Sequence, residues 1–498
     1  MQLPVLDLAI FFVYMAGIVI FGATFYFKNK NPEQYTSGGG KLPSWVVGMS
    51  FFATYVSSIS FLALPGNAYQ SNWNAFVFSL SIPIAAILAI KFFVPLYRSL
   101  NSISAYNYLE VRFGAWARVY ASLCYILTQL MRTGSILYLL ALPLNAMLGW
   151  SISSIIIVTG ISIIVYSMLG GIQAVIWTDA IQGIVLIIGA VICLITIIVG
   201  IPGGVSTIVD IGLAENKFSL GTFDMGFTEA TFWVMLVYGL FINLQNYGID
   251  QNYVQRYMTT KSLRGAKNST LFGALLYVPV SLVFFMIGTA LYVYFKVNPG
   301  VLPAELASIE MADKVFPYFI VNNLPAGVTG LLVAAIFAAG MSTVSTSVNG
   351  TATIILTDYY NRYFLKEGKK NSSMKVLYLS SFIFGVLGII IGIAMTGVKS
   401  ALDAWWMLAS IFSGGMLGLF LLGFLVKKAD KIAAAIGTVV GVLVIFWLSI
   451  SPIWFNKGGL IKLRSPFHAN LTIVIGTTVI FLVGFLITWF FNRNKVKS

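Results

Sequence analysis

Polar and apolar positions along this chain separate into thirteen apolar runs, at 5–27, 43–66, 73–97, 117–148, 151–170, 172–200, 230–255, 266–296, 327–360, 374–397, 402–427, 431–451 and 468–491. Each is near the ~20 residues that an α-helix needs to cross a hydrocarbon core. None shows the sustained two-residue alternation of a barrel strand, so helices are the means by which the backbone satisfies its own hydrogen bonds in lipid. The pattern predicts an all-α polytopic membrane protein of about thirteen transmembrane helices. Composition agrees: 58% of the 498 residues are hydrophobic and 9% charged, too little polar surface for a soluble globule.

The charges orient the bundle. With the N-terminus outside and the C-terminus inside, 21 of the 30 Lys and Arg residues fall in cytoplasmic segments and 7 outside, Lys91 and Arg132 lying within runs. That bias follows the positive-inside rule and predicts a multi-pass protein of a cytoplasmic membrane, in contact with the lipid bilayer. It also accounts for the net charge of +14 without a nucleic-acid partner, because the basic residues are short clusters spread over six segments. The first run has Lys28 and Lys30 after it and no basic residue before it, the wrong polarity for a cleaved signal, and is expected to remain as a spanning helix.

Catalytic chemistry finds little support. The one histidine, His468, lies at a predicted outer edge, and no His-Glu-x-x-His, Cys-x-x-Cys or Walker sequence is present. An intramembrane enzyme would need a facing nucleophile and base, and a channel would need a filter sequence or ring of charge.

Polar residues inside the apolar runs are few, and each costs several kcal/mol unless it is paired or lines a watery cavity. Arg132 is about 21 Å along its helix from Arg118 and about 27 Å from Trp150, too deep to snorkel. It either pairs with an acid on another helix or faces a transport cavity, where its planar fork suits a carboxylate. In the second run Thr54, Tyr55, Ser57, Ser58 and Ser60 crowd the middle. Their hydroxyls either back-bond to their own helix or mark an unwound segment whose free carbonyls bind a cation. Ser342, Thr346 and Asn349 share one helix face beside Gly340, Thr343 and Ser345, a pattern that also serves close helix packing. Asp179 or Thr178 could simply cap the sixth run.

The stretch Gly170-Gly171-Ile172-Gln173-Ala174-Val175-Ile176-Trp177-Thr178-Asp179-Ala180-Ile181-Gln182 resembles the signature of the sodium:solute symporter family. Gly38-Gly39-Gly40-Lys41-Leu42-Pro43, Gln251 with Gln255-Arg256, and Asn349 with Asp358-Tyr359 extend the resemblance along nearly the whole chain. Within that family the chain is most similar to the bacterial sialic acid symporters. The resemblance implies one transmembrane domain over 1–498, with a LeuT-like core of two inverted five-helix repeats at 43–200 and 230–427. An extra helix at 5–27 would precede it and two at 431–491 would follow.

Function and site follow from the same resemblance. It implies secondary active import of a small carboxylate-bearing solute, most similar to sialic acid transport, with two transported sodium ions and a functional monomer. Proline, pantothenate and short monocarboxylates are the alternative substrates. A first sodium site would use the carbonyls of Ala53, Val56 and Ala339 with the hydroxyls of Ser342 and Thr343. A second would use Asp179, Ser342, Ser345 and Thr346. Substrate would meet Arg132, Ser57, Ser60, Tyr55 and Ser79. Tyr55 and Ser79 stand where the subgroup has threonine and glutamine, and Ala75 replaces an aromatic residue.

Overall fold

The computed structural model describes residues 4–56, 58–306, 312–365, 372–397, 414–455 and 458–495. Among them the regular structure is helical, and pairing of the strand type is limited to one isolated parallel bridge between Leu42 and Thr260. Among the described residues nine helices are long and apolar enough to span a membrane, ten when a bent pair is counted as one span. The chain is therefore an all-helical, multi-pass membrane protein, the fold class expected from its sequence.

The helices differ from the apolar runs where 151–170 and 172–200 join and where 43–66 and 230–255 each divide. Runs 151–170 and 172–200 form one helical stretch, Ile152–Val199, interrupted at Gly171 with φ 56° and ψ −157°. Forty-eight residues of straight helix would be about 72 Å long, more than twice a ~30 Å hydrocarbon core, so the interruption falls where two spans must meet. Only glycine suits it, because an added Cβ would lie 2.8 Å from the Tyr35 carbonyl oxygen in a left-handed backbone conformation. The run at 230–255 is divided into Phe232–Ile249 and Gln251–Thr259, which meet at extended Asp250 (φ −74°, ψ 128°). Of the run at 402–427, residues 414–427 are described and include the helix Gly414–Leu425; 402–413 lie outside the described residues.

Val328–Ile354 is the central helix, with 25 of its 27 residues buried. Its side chains are small (Ala, Gly, Ser and Thr dominate), which lets neighbouring backbones approach closely in the absence of a strong hydrophobic drive between helices in lipid. Asp7 of the first helix, Val5–Thr24, fixes its start: one carboxylate oxygen accepts from the backbone N–H of Gly327 (2.6 Å) and Gly330 (2.7 Å). An acid at a helix N-terminus both satisfies orphan donors and complements the dipole. At the other end Arg118 joins Glu110 (2.7 Å) to Asp358 (2.6 Å), locking the Asn107–Phe113 helix and the helix Ala115–Leu148 to the end of the central one.

Candidate functional site

The site forms where two helices break against the central one. Ser44–Tyr55 stops at Val56, which is extended (φ −81°, ψ 113°), and the chain resumes as Ser58–Gln70. The two pieces are bent by 54°. A helix that stops leaves its last carbonyls without intrahelical donors, so the Ala53 and Val56 carbonyls belong to the set freed at this break. The unwound reading of the hydroxyl-rich run is therefore the one the backbone adopts. Ser57 lies outside the described residues.

The second break is organised by Asp250. One of its carboxylate oxygens accepts from Asn252 N–H (2.8 Å), capping the short helix Gln251–Thr259. The other accepts from Gln129 Nε2 (3.2 Å), whose Oε1 in turn accepts from Ser347 Oγ (2.7 Å) on the central helix. Asp250 and the polar residues Asn243, Gln245 and Asn246 before it were read as the interior of one span. Their density was the available signal.

Asp179 sits on the third side, fully buried. One oxygen accepts from Ser342 Oγ (2.7 Å); the other accepts from Ser50 Oγ (2.6 Å) and from Arg256 Nη2 (2.8 Å). Arg256 is itself fully buried. It also donates to Ser50 Oγ (2.8 Å), to the Asn252 carbonyl (2.5 Å) and to Thr346 Oγ1 (2.8 Å). By its position after the run 230–255, Arg256 reads in the sequence as one of the 21 cytoplasmic charges; it is instead a structural member of this site, and its partner is 77 residues away. The structure brings Asp179, Ser342 and Thr346 together around one guanidinium. Ser345 lies alongside, its Oγ donating to the Ser342 carbonyl (3.1 Å). Gln182, one turn beyond Asp179, is also buried.

The five groups of the first proposed cage are hard oxygens from two helices. Ser342 Oγ points to Asp179, and Thr343 Oγ1 donates to the Ala339 carbonyl (3.2 Å), so both hydroxyls already meet partners from the candidate ion sites. Asp179 stands between the two cages through Ser342. Ala53 is near Gly183, one turn beyond Asp179, where an added Cβ would lie 3.5 Å from the Ala53 methyl.

Around the first break three of the predicted substrate residues, Tyr55, Ser60 and Ser79, meet on an aromatic wall. The Tyr55 ring packs edge-on to Tyr277 (4.9 Å between centroids), stacks on Tyr247 (6.0 Å) and touches Tyr253 (6.2 Å). Its hydroxyl accepts from Asn246 Nδ2 (3.3 Å). Ser79 Oγ bonds Ser281 Oγ (2.7 Å), and the Tyr277 hydroxyl interacts with both Ser60 and Ser79. Ala75 precedes the Phe76–Leu88 helix as its N-cap. Arg132 is half-buried and forms no ion pair within 4 Å among the described residues. It senses Asp250 and Tyr253 through charge. Tyr253 is itself part of the wall around Tyr55.

Residues 35–441 match the model of the sodium:solute symporter family. The chain belongs to that family. It is 35% identical to the sodium/sialic acid symporter SiaT of Proteus mirabilis, over 88% of each chain. It is 32% identical to the sodium/sialic acid symporter NanT of Aliivibrio fischeri, over 88% of this chain and 86% of the relative. Human sodium-coupled monocarboxylate transporter 1 is 28% identical over 88% of this chain and 73% of its own length. Among solved structures, a substrate-bound outward-open Na+-coupled sialic acid symporter superposes with a TM-score of 0.89 at 32% identity, covering 97% of this chain and 98% of the other. A nucleobase-cation-symport-1 family transporter shares the fold at 15% identity, with a TM-score of 0.56 over 91% and 94%. The chain is a sodium-coupled solute transporter of this family and not an enzyme.

Proposed function

We propose that this chain imports sialic acid, or a closely similar small carboxylate-bearing solute, together with two sodium ions. The observation on which this reading rests is Arg132: a guanidinium within a spanning helix, with no ion pair within 4 Å among the described residues, whose charge acts on Asp250 at the second helix break. Its fork offers two parallel N–H donors to a carboxylate, and the low dielectric strengthens that charge-assisted pair. Tyr55, Ser60 and Ser79, with Ser57, then take the hydroxyl-rich body of the solute. The first sodium occupies the carbonyls of Ala53, Val56 and Ala339 with Ser342 and Thr343. The second occupies Asp179, Ser342, Ser345 and Thr346, where it shares the carboxylate with Arg256.

The two breaks, at Val56 and Asp250, fall in the first helix of each half when the repeats are drawn at 43–200 and 230–427. That placement supports the repeat division, because discontinuous helices in corresponding positions build midplane binding sites. The transporter functions as a monomer in a bacterial cytoplasmic membrane, N-terminus outside and C-terminus inside, as the distribution of basic residues favours. A second reading, a short monocarboxylate as substrate, is favoured by the likeness to the monocarboxylate transporters and needs the same arginine.

Uptake of labelled N-acetylneuraminate into proteoliposomes, with and without an inward sodium gradient, tests the proposal. Competition by unlabelled sialic acids, proline, pantothenate and short monocarboxylates ranks the substrates. Gradient-independent uptake would remove sodium coupling. Competition by a monocarboxylate alone would move the assignment to the second reading.

A further inference from the structure

Where Gly414–Leu425 ends, its exit segment and the last helix, Leu471–Lys495, enclose a groove of about 500 Å³. Leu425, Phe485 and Trp489 give it an apolar wall, and Lys427, Lys428 and Arg493 give it three cations. The volume is in the range of small-molecule sites. The positive-inside rule accounts for cations at this end of the bundle, but not for three of them converging on one cavity with an indole. Among the described residues its lining contains no acidic side chain. Nor does any of the three cations form an ion pair among the described residues. The nearest acid along the chain, Asp430, is engaged elsewhere, accepting from Ala433 N–H (2.8 Å) to cap the next helix.

The groove is held in shape from both sides. Arg112 donates to the carbonyls of Gly423 (3.0 Å), Val426 (3.1 Å) and Lys427 (3.2 Å), fixing the backbone from which Lys427 and Lys428 project. On the facing helix the Arg493 guanidinium lies 5.3 Å from the centre of the Trp489 ring, which positions the cation over an aromatic face. Trp489 and Leu425 are 51% and 62% exposed, so the apolar side opens laterally toward lipid while the cations stand at its polar end.

We propose that this groove binds an anionic phospholipid: the phosphodiester meets Lys427, Lys428 and Arg493, and the glycerol and first acyl carbons pack on Trp489, Phe485 and Leu425. Basic pockets between spanning helices at a membrane edge suit such headgroups, and each cation near an anionic surface changes affinity about fivefold. The bound lipid joins the end of the eleventh span to the last helix. The inference does not rest on which solute is transported.

The test is native mass spectrometry of the full-length protein titrated with cardiolipin, phosphatidylglycerol or phosphatidylcholine, with inorganic phosphate as a competitor. Wild type is expected to retain the two anionic lipids and not phosphatidylcholine. Single substitutions Lys427→Ala, Lys428→Ala and Arg493→Ala each weaken retention about fivefold. Lys427→Arg with Lys428→Arg keeps the charge and retains the lipid, which separates loss of the site from misfolding. A control carrying Lys261→Ala, Arg264→Ala and Lys267→Ala, at the same proposed membrane edge, is expected to bind like wild type. Equal loss in that control would reduce the groove to general basic surface. Equal retention of phosphatidylcholine would make it an apolar crevice, and displacement by millimolar phosphate would make it a simple anion site; each overturns the proposal. Uptake assays are not part of this readout, so its failure is distinct from failure of the transport assignment.

Discussion

Asp179 and Arg256 form a buried ion pair at 2.8 Å, with essentially no exposure on either side chain, and each also bonds Ser50 Oγ. Two opposite charges removed from water persist only when their remaining hydrogen-bonding capacity is met, and here Ser342, Thr346 and the Asn252 carbonyl meet it. Removing one partner strands the other. Asp179→Asn and Arg256→Gln are each expected to lower stability by about 3–5 kcal/mol, and the double variant by less than their sum. Thermal unfolding in detergent measures this, and additive losses would show that the two charges are not coupled.

Arg132 makes the contrasting case of a membrane-embedded cation with no ion pair among the described residues. Arg132→Ala and Arg132→Lys are both expected to impair substrate binding, since lysine keeps the charge and loses the fork. Loss of a charge-assisted hydrogen bond is worth about 1.5–3 kcal/mol, or roughly 10- to 100-fold in affinity. Binding of labelled substrate to the purified variants provides the measurement. Near wild-type affinity in Arg132→Ala would return the residue to long-range pairing with Asp250.

How these two arginines looked in the sequence explains what was legible there and what was not. Arg132 stood out because an isolated charge deep in an apolar run has one-dimensional visibility. Arg256 did not, because it follows a polar stretch near a run's end, where positive charges normally mark a cytoplasmic loop. Burial of the whole Gln251–Thr259 helix is a tertiary fact, set by the break at Asp250. The break at Asp250 is not legible for a related reason: its polar residues lie inside the single run 230–255 without the dense hydroxyl cluster that, at 54–60, makes an unwound segment one of two open readings. The Gly170-Gly171 boundary was legible because a left-handed backbone requires a residue type that sequence displays. The aromatic wall around Tyr55 joins residues from four helical segments, and no local pattern announces it.

The proposed first sodium cage gives a separable prediction. Ser342→Ala and Thr343→Ala each remove one ligand oxygen and are expected to raise the sodium concentration for half-maximal uptake. Ser342→Ala should have the larger effect, because its hydroxyl also holds Asp179 at 2.7 Å and belongs to both proposed cages. Ser345→Ala touches only the second. Sodium dependence unchanged in both Ser342→Ala and Thr343→Ala would assign those hydroxyls to helix packing, a role that the Thr343 bond to the Ala339 carbonyl already illustrates.

Charge movement decides whether the second cage is occupied during transport. A sialic acid is a monoanion at neutral pH, so cotransport with one sodium is electroneutral and cotransport with two moves one positive charge inward. Only the second gains from the membrane potential, by about 2.3 kcal/mol per 100 mV. Intact protein is expected to give substrate-induced inward current and faster uptake into vesicles with a negative interior. The Arg256 pair sharpens what Asp179→Asn should then do. If sodium shares the Asp179 carboxylate with the guanidinium, replacing the anion with an amide leaves Arg256 as an uncompensated cation beside the cage, which repels the second ion more strongly than loss of one ligand would. Current per substrate should therefore fall toward zero in Asp179→Asn while uptake stays sodium-dependent through Ser342 and Thr343. Arg256→Gln removes the competing cation and keeps the carboxylate, so in protein that still folds the current per substrate should persist at lower sodium than wild type needs. Recording current and labelled uptake from the same proteoliposomes gives the ratio directly. Full charge movement in Asp179→Asn would make Asp179 an anchor for Arg256 and place the second ion elsewhere; an electroneutral wild type would reject coupling of two sodium ions to a monoanion.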